Sequence, residues 1–146
     1  MELRTKSYGR MLLKMPIEFS VDKNSNIIHT TMIGSVGLAD IMDYLSKRFE
    51  SAEAQSGMDS LIDLRNMEPF KSSESISEIA RFAADNSIEL GTGRTAIVSP
   101  SDVNRGFANM YIAMARGVAR ETSSFRDYDE ALEWLARNDN RMPELP

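Results

Sequence analysis

Apolar and polar positions along the chain change period several times, and each change marks an element. Ile17, Phe19 and Val21 alternate with Glu18, Ser20 and Asp22, the period of two that a half-buried strand requires. Lys23-Asn24-Ser25-Asn26 reads as a turn and Ile27 to Ile33 resumes an extended pattern, so the two runs predict an antiparallel hairpin. After the break at Gly34-Ser35-Val36-Gly37, residues Leu38, Ile41, Met42, Leu45 and Phe49 recur at helical spacing, with Gly57 as the expected end. Ser60-Leu61-Ile62-Asp63-Leu64 is a short, mostly apolar run suited to a sheet centre.

A second helix is expected after a Ser-x-x-Glu capping box at Ser75 and Glu78, with Ile76, Ile79, Ala80 and Ala83 on one face. Asn86 to Gly93 then reads as a loop returning the chain to a buried strand, Thr95-Ala96-Ile97-Val98. In the next helix Val103, Phe107, Met110, Tyr111, Met114 and Val118 form one stripe, with Arg105, Asn109, Arg116 and Arg120 mostly off it. Ser124-Phe125-Arg126 adds an edge strand. Asp127 and Glu130 cap a last helix that buries Ala131, Leu132 and Leu135, with Trp134 at the margin.

The order β-β-α-β-α-β-α-β-α defines an α/β class. It predicts a mixed sheet of about five strands, an N-terminal hairpin followed by parallel βα units with right-handed crossovers, and four helices. The domain is placed at residues 16–138, after an N-terminal extension at 1–15 and before a C-terminal tail at 139–146. The extension concentrates Arg4, Lys6, Arg10 and Lys14, and is read as a solvated basic segment.

Composition narrows the function classes. The 146 residues are 42% apolar, enough for one core. A net charge of -5 argues against a general binder of nucleic acid or of anionic membranes. The absence of cysteine removes disulfides, thiolate metal sites and cysteine nucleophiles, and a single histidine, His29, gives no basis for a histidine metal site. No cofactor or metal is expected. The chain contains no run long enough to insert in a membrane, and a cytoplasmic location fits the composition. The ten methionines fall mainly within apolar periodicity and read as core filling.

Candidate chemistry concentrates after the third strand. Asp63 stands near its carboxyl end, where open α/β sheets form crevices, although pairing with Arg65 or capping a turn would also account for it. The loop continues through Phe70, Lys71, Ser72 and Ser73 into a helix start, where free N–H groups favour an anion. Phe70 offers an apolar contact and Lys71 a cation; Ser72 and Ser73 offer hydroxyls open to phosphorylation. No nucleophile, base and orienting group recur together, so no catalytic residues are assigned and the protein is expected not to be an enzyme. Gly91-Thr92-Gly93 precedes a strand, so it lacks the context of a phosphate loop.

Many of these features together resemble the SpoIIAA-like family, whose fold is that of the STAS domain. They are the hairpin with Gly34, Leu61-Ile62-Asp63-Leu64-Arg65, Ala96-Ile97-Val98, Met110-Tyr111, and Phe125-Arg126-Asp127 with Glu130 to Leu135. The resemblance implies a regulatory or protein-interaction module that is not an enzyme, and, through a related lipid-binding fold, a carrier of a small apolar ligand or lipid as the alternative. Anti-sigma-factor antagonists of that fold carry a phosphorylatable serine in an Asp-Ser-Ser-Gly-like turn. Residues 66–73 here lack that turn. The expected partner is therefore a protein or a small apolar molecule. The edge strand beside Phe125 further predicts a homodimer.

Overall fold

The computed structural model describes residues 16–70, 73–115, 118 and 120–137. The N-terminal extension, the C-terminal tail, Lys71 and Ser72 lie outside them. Strands β1 (Ile17–Asp22) and β2 (Ile27–Gly34) form the hairpin, paired antiparallel with Ile17 opposite Met32. The turn between them places Asn26 at φ 62 and is held by the Asp22 side chain, which accepts from the Asn24 N–H at 3.0 Å.

Strands β3 (Asp59–Met67), β4 (Arg94–Val98) and β5 (Glu121–Phe125) then add in sequence order, each parallel to the one before it, to give the sheet β1-β2-β3-β4-β5. A bulge between Thr31 and Ile33 shifts the β2–β3 register. Residues across the sheet share faces. Thr30, Ile62 and Ile97 form one row, and Ser60, Thr95 and Thr122 form the next row on the same face.

That face is covered by α1 (Leu38–Glu50), α2 (Ser73–Asp85) and α4 (Asp102–Met114), and α5 (Tyr128–Ala136) covers the other. The larger core includes Ile41, Leu45, Leu64, Ile76, Ile79 and Ile97. The smaller one joins Ile27, Leu61, Ala96 and Val98 of the sheet to Ala131 and Leu135 of α5. Alternation along β3 sorts its residues: Leu61 and Asp63 point toward α5, whereas Ser60, Ile62 and Leu64 point toward the three helices.

The mixed α/β sheet with its hairpin follows the expectation from the sequence. The helices differ in detail. A fifth, one-turn helix, α3 (Ser87–Leu90), stands where the sequence reads as loop. Its Ile88 is 87% exposed, so it carries no apolar periodicity, and two bonds close the turn, from the Leu90 N–H to the Asn86 carbonyl at 3.0 Å and from the Gly91 N–H to the Ser87 carbonyl at 2.9 Å. Helix α1 ends at Glu50 rather than near Gly57, because the Ser51 hydroxyl accepts from the N–H groups of Glu53 and Ala54 and turns the chain away. Helix α2 begins at Ser73, which puts Ser75 inside its first turn instead of at the cap. At Gly91, φ is 72 and a Cβ would strike the Ser56 carbonyl, so glycine is required there on both counts.

Helix α4 departs furthest from expectation. It ends at Met114, short of Val118, and its fully buried residues are Asn104 and Ala108, with Val103 52% and Met114 46% exposed. Phe107, Met110 and Tyr111 of the expected stripe do pack against the core, but Asn104 takes a fully buried position beside them and Val103 and Met114 turn outward. The Asn104 Nδ2 donates to the Met67 carbonyl at 3.2 Å and its Oδ1 accepts from the Phe70 N–H at 3.3 Å. A helix face that has backbone groups of a neighbouring loop to satisfy presents an amide there instead of a hydrocarbon. Asp127 caps α5 as expected, accepting from the Asp129 N–H at 3.1 Å.

Candidate functional site

Between the sheet and α1, α2 and α4 lies a cavity of about 110 Å³. Ile62 shows its effect: in the middle of the central strand, it is only partly buried, because space stands where a helix side chain would normally pack. The apolar part of the wall comes from Met32, Ile41, Leu45 and Leu64, from Ile76, Ile79 and Ala83 of α2, and from Phe107 and Ala108 of α4. Phe70 closes one side, packed edge-on against Phe107 with ring centroids 5.6 Å apart. Asn104 holds Phe70 there through the backbone bond described above.

The other part of the wall is polar. Tyr44, Arg48, Thr95, Tyr111, Arg120 and Thr122 all reach the cavity. Tyr44 and Arg48 are one helical turn apart on α1 and continue the buried side of Ile41 and Leu45. The Tyr44 hydroxyl lies 2.7 Å from that of Thr30, and Arg48 Nη1 donates to Tyr44 Oη at 3.0 Å and to Ser60 Oγ at 3.4 Å.

Arg120 has a different role. Its Nε donates to Thr95 Oγ1 at 2.8 Å, Nη1 donates to the carbonyls of Leu90 and Thr92, and Nη2 donates to those of Met58 and Arg94. It ties together the chain ahead of β3, the end of α3 and the start of β4. Burial lowers its pKa to about 10, the facing Arg48 guanidinium pushes the same way, and Asp59 opposes both. At neutral pH Arg120 is therefore still a cation. Burial raises the Tyr111 pKa, against the pull of Arg120 and Arg48, so the phenol keeps its proton as a donor.

The residues expected from the sequence fall in three places. Phe70 lines the cavity. Ser73 starts α2 and is exposed. Asp63 faces α5 on the opposite side of the sheet. It accepts from Arg65 Nε at 3.0 Å, Arg65 Nη2 at 2.8 Å and the Arg65 N–H at 3.0 Å. Arg65 in turn lies over the Tyr128 ring, 4.4 Å from its centroid. Burial tends to raise the Asp63 pKa, but the hydrogen bonds from Arg65 prevail and hold it below the usual carboxylate range. Asp63 and Phe70 thus belong to different sites.

Tyr44, Arg48, Asn104, Tyr111 and Arg120 are not apparent from the sequence reading. One signal was available: Ile41, Tyr44, Leu45 and Arg48 are spaced as one helix face, and a charge continuing an apolar stripe marks a buried polar site. His29 pairs opposite Ser20 in the hairpin, away from the cavity. Among the described residues no three His, Asp or Glu side chains gather to hold a metal, and no helix is long and apolar enough to cross a membrane.

A search of curated proteins finds no significant match. Among solved structures, the fold is similar to the 2.25 Å crystal structure of an uncharacterized protein of the DUF3478 family with a SpoIIAA-like fold, from Shewanella loihica PV-4. The TM-score is 0.56 at 15% identity, over 82% of this chain and 94% of that one. A SpoIIAA-like family profile matches residues 27–136. That span runs from the start of β2 through the last turn of α5 and includes every wall of the cavity, and the chain belongs to the SpoIIAA-like family.

Proposed function

We propose that this domain is a non-enzymatic binding module that encloses a small, mainly apolar ligand between its sheet and helices α1, α2 and α4. One observation carries the reading: a cavity of about 110 Å³ reaches the central strand and exposes Ile62. Its volume approaches that of an engineered cavity of about 150 Å³ that accepts benzene. Its walls combine an apolar body with a few convergent polar groups, the usual composition of a ligand pocket. Native mass spectrometry of the gently purified protein tests it, alongside thermal shift with a panel of short-chain alcohols, acids and aromatic compounds. Retained mass or a raised Tm is expected with at least one compound; neither, across the panel, overturns the reading.

A second reading, interaction with a protein partner, draws on α4. Val103, Phe107, Met110 and Met114 share one side of that helix, and Val103 and Met114 are largely exposed. Exposed apolar residues in line on one helix suit a partner's groove or helix. Phe70 and Phe107 belong to the cavity wall as well as to the surface beside this stripe, so occupancy of the cavity can alter what docks there. Co-purification with Val103→Ser/Met114→Ser as the control checks this: loss of a wild-type partner supports it, and unchanged recovery opposes it.

A further inference from the structure

Arg48 is the feature that the proposed binding of an apolar ligand leaves unexplained. It is only 6% exposed, yet among the described residues no carboxylate pairs with it. Its Nη1 is satisfied by two hydroxyls, and no described acceptor takes a hydrogen bond from Nε or Nη2. A second guanidinium, that of Arg120, repels it from across the cavity. Asp59 offsets Arg120. Facing both guanidinium groups is Tyr111, whose hydroxyl has no described hydrogen-bond partner. A cation without a carboxylate, with a phenol donor beside it, turned toward an otherwise apolar space lacks one component, a negative charge.

We propose that the cavity takes a small apolar carboxylate, with its anionic head bonded by Arg48 and Tyr111 and its hydrocarbon lying among Leu45, Ile62, Ile79 and Phe107. The inference rests on the cavity being a ligand site. A carboxylate matches the planar fork of a guanidinium, and a cavity smaller than the one that accepts benzene suits a short tail of a few carbons. Arg120, with its donors already engaged by four carbonyls and Thr95, contributes charge without a direct bond. The ligand exchanges no atoms with the protein, because no nucleophile or base stands beside the proposed head.

Calorimetric titration with hexanoate and, separately, 1-hexanol tests the proposal. Wild type is expected to bind hexanoate roughly tenfold to a hundredfold more tightly than hexanol, the range given by a charge-assisted hydrogen bond. Arg48→Met keeps the length and apolar contacts of the stem, and is expected to abolish that preference while leaving hexanol binding unchanged. Tyr111→Phe, which removes only one hydroxyl, is expected to weaken hexanoate several-fold, and it supplies the test if Arg48→Met does not fold. Equal affinity of wild type for the two compounds, or an undiminished preference in folded Arg48→Met, overturns the anionic head while the cavity stands as a site. Binding of neither compound to wild type overturns the carboxylate, and an empty result across the wider panel overturns the ligand site with it.

Discussion

The two faces of the sheet solve the same packing problem differently. On one, α5 alone covers Leu61, Ala96 and Val98, with Ala131 wholly buried and Leu135 3% exposed. Asp63 binds Arg65 there, and Arg94 donates to the carbonyls of Trp134 and Arg137 at the helix end, a favourable place for a cation. On the other face three helices enclose more space than they fill, and Arg48 has only hydroxyls for company. The first face is a close-packed core. The second gives up packing density for a chamber, which is why the candidate site belongs there.

Truncations provide the strongest contrast. Leu135→Ala in the α5 core is expected to cost about 3–4 kcal/mol, since it opens a new hole in a filled layer. Ile79→Ala beside the chamber enlarges a space that already exists, and about 2 kcal/mol is expected. Urea unfolding of both variants would show this difference, and equal losses would erase the distinction between the faces. Asn104→Ala follows at about 2 kcal/mol, because it leaves the Met67 carbonyl and Phe70 N–H without their partner. The same change should loosen Phe70, measurable as weaker binding of any ligand the cavity takes.

Enlarging a residue should reverse the sign between faces. Ala131→Leu has no room and is expected to destabilise by roughly 1–3 kcal/mol. Ala108→Leu grows into the cavity and is expected to stabilise by up to about 1 kcal/mol while excluding ligand. Thermal melts of the two variants decide the matter; destabilisation in both would argue that the chamber is not spare volume.

The smallest effect concerns Asp63. Its folded pKa lies below its ordinary value of 3.8, so the ionised form is favoured by folding. That stability is present above pH 3.8 and is lost as pH falls through the folded value. Arg65 is 45% exposed at its side chain, so the contribution is under about 1 kcal/mol. The stability gap between wild type and Asp63→Asn should accordingly narrow on acidification below about pH 4. A gap constant from pH 7 to 3 would detach Asp63 from the pairing.

Much of this contrast was legible in the chain. Alternation in β1, the apolar β4 and the Asp127 cap mark elements whose side chains are dictated by local geometry. The side of the sheet that Asp63 takes is missed when it is grouped with the loop at Phe70, although it stands two residues from Leu61 on the same strand face. The chamber was harder to read. Its polar wall draws Tyr44 and Arg48 from α1 and single residues from β4, α4, β5 and the segment before β5, so no short motif contains it. Arg48 looks like the solvated end of a helix until the Tyr44–Arg48 spacing is set against Ile41 and Leu45. On α4 the apolar stripe is legible in part, since Phe107, Met110 and Tyr111 pack against the core, but Asn104 does not stand out as buried because its partners lie 34 and 37 residues away in sequence.

Arg120 gives the order of synthesis a physical meaning. Its guanidinium gathers carbonyls from Met58, Leu90, Thr92 and Arg94, all of which leave the ribosome before it. A nascent chain that stops short of residue 120 has the strands of the sheet centre but no donor for those four carbonyls, and lacks β5 and α5 as well. One side chain thus satisfies those four carbonyls and forms part of the chamber wall, so the wall cannot be complete before residue 120 is in place.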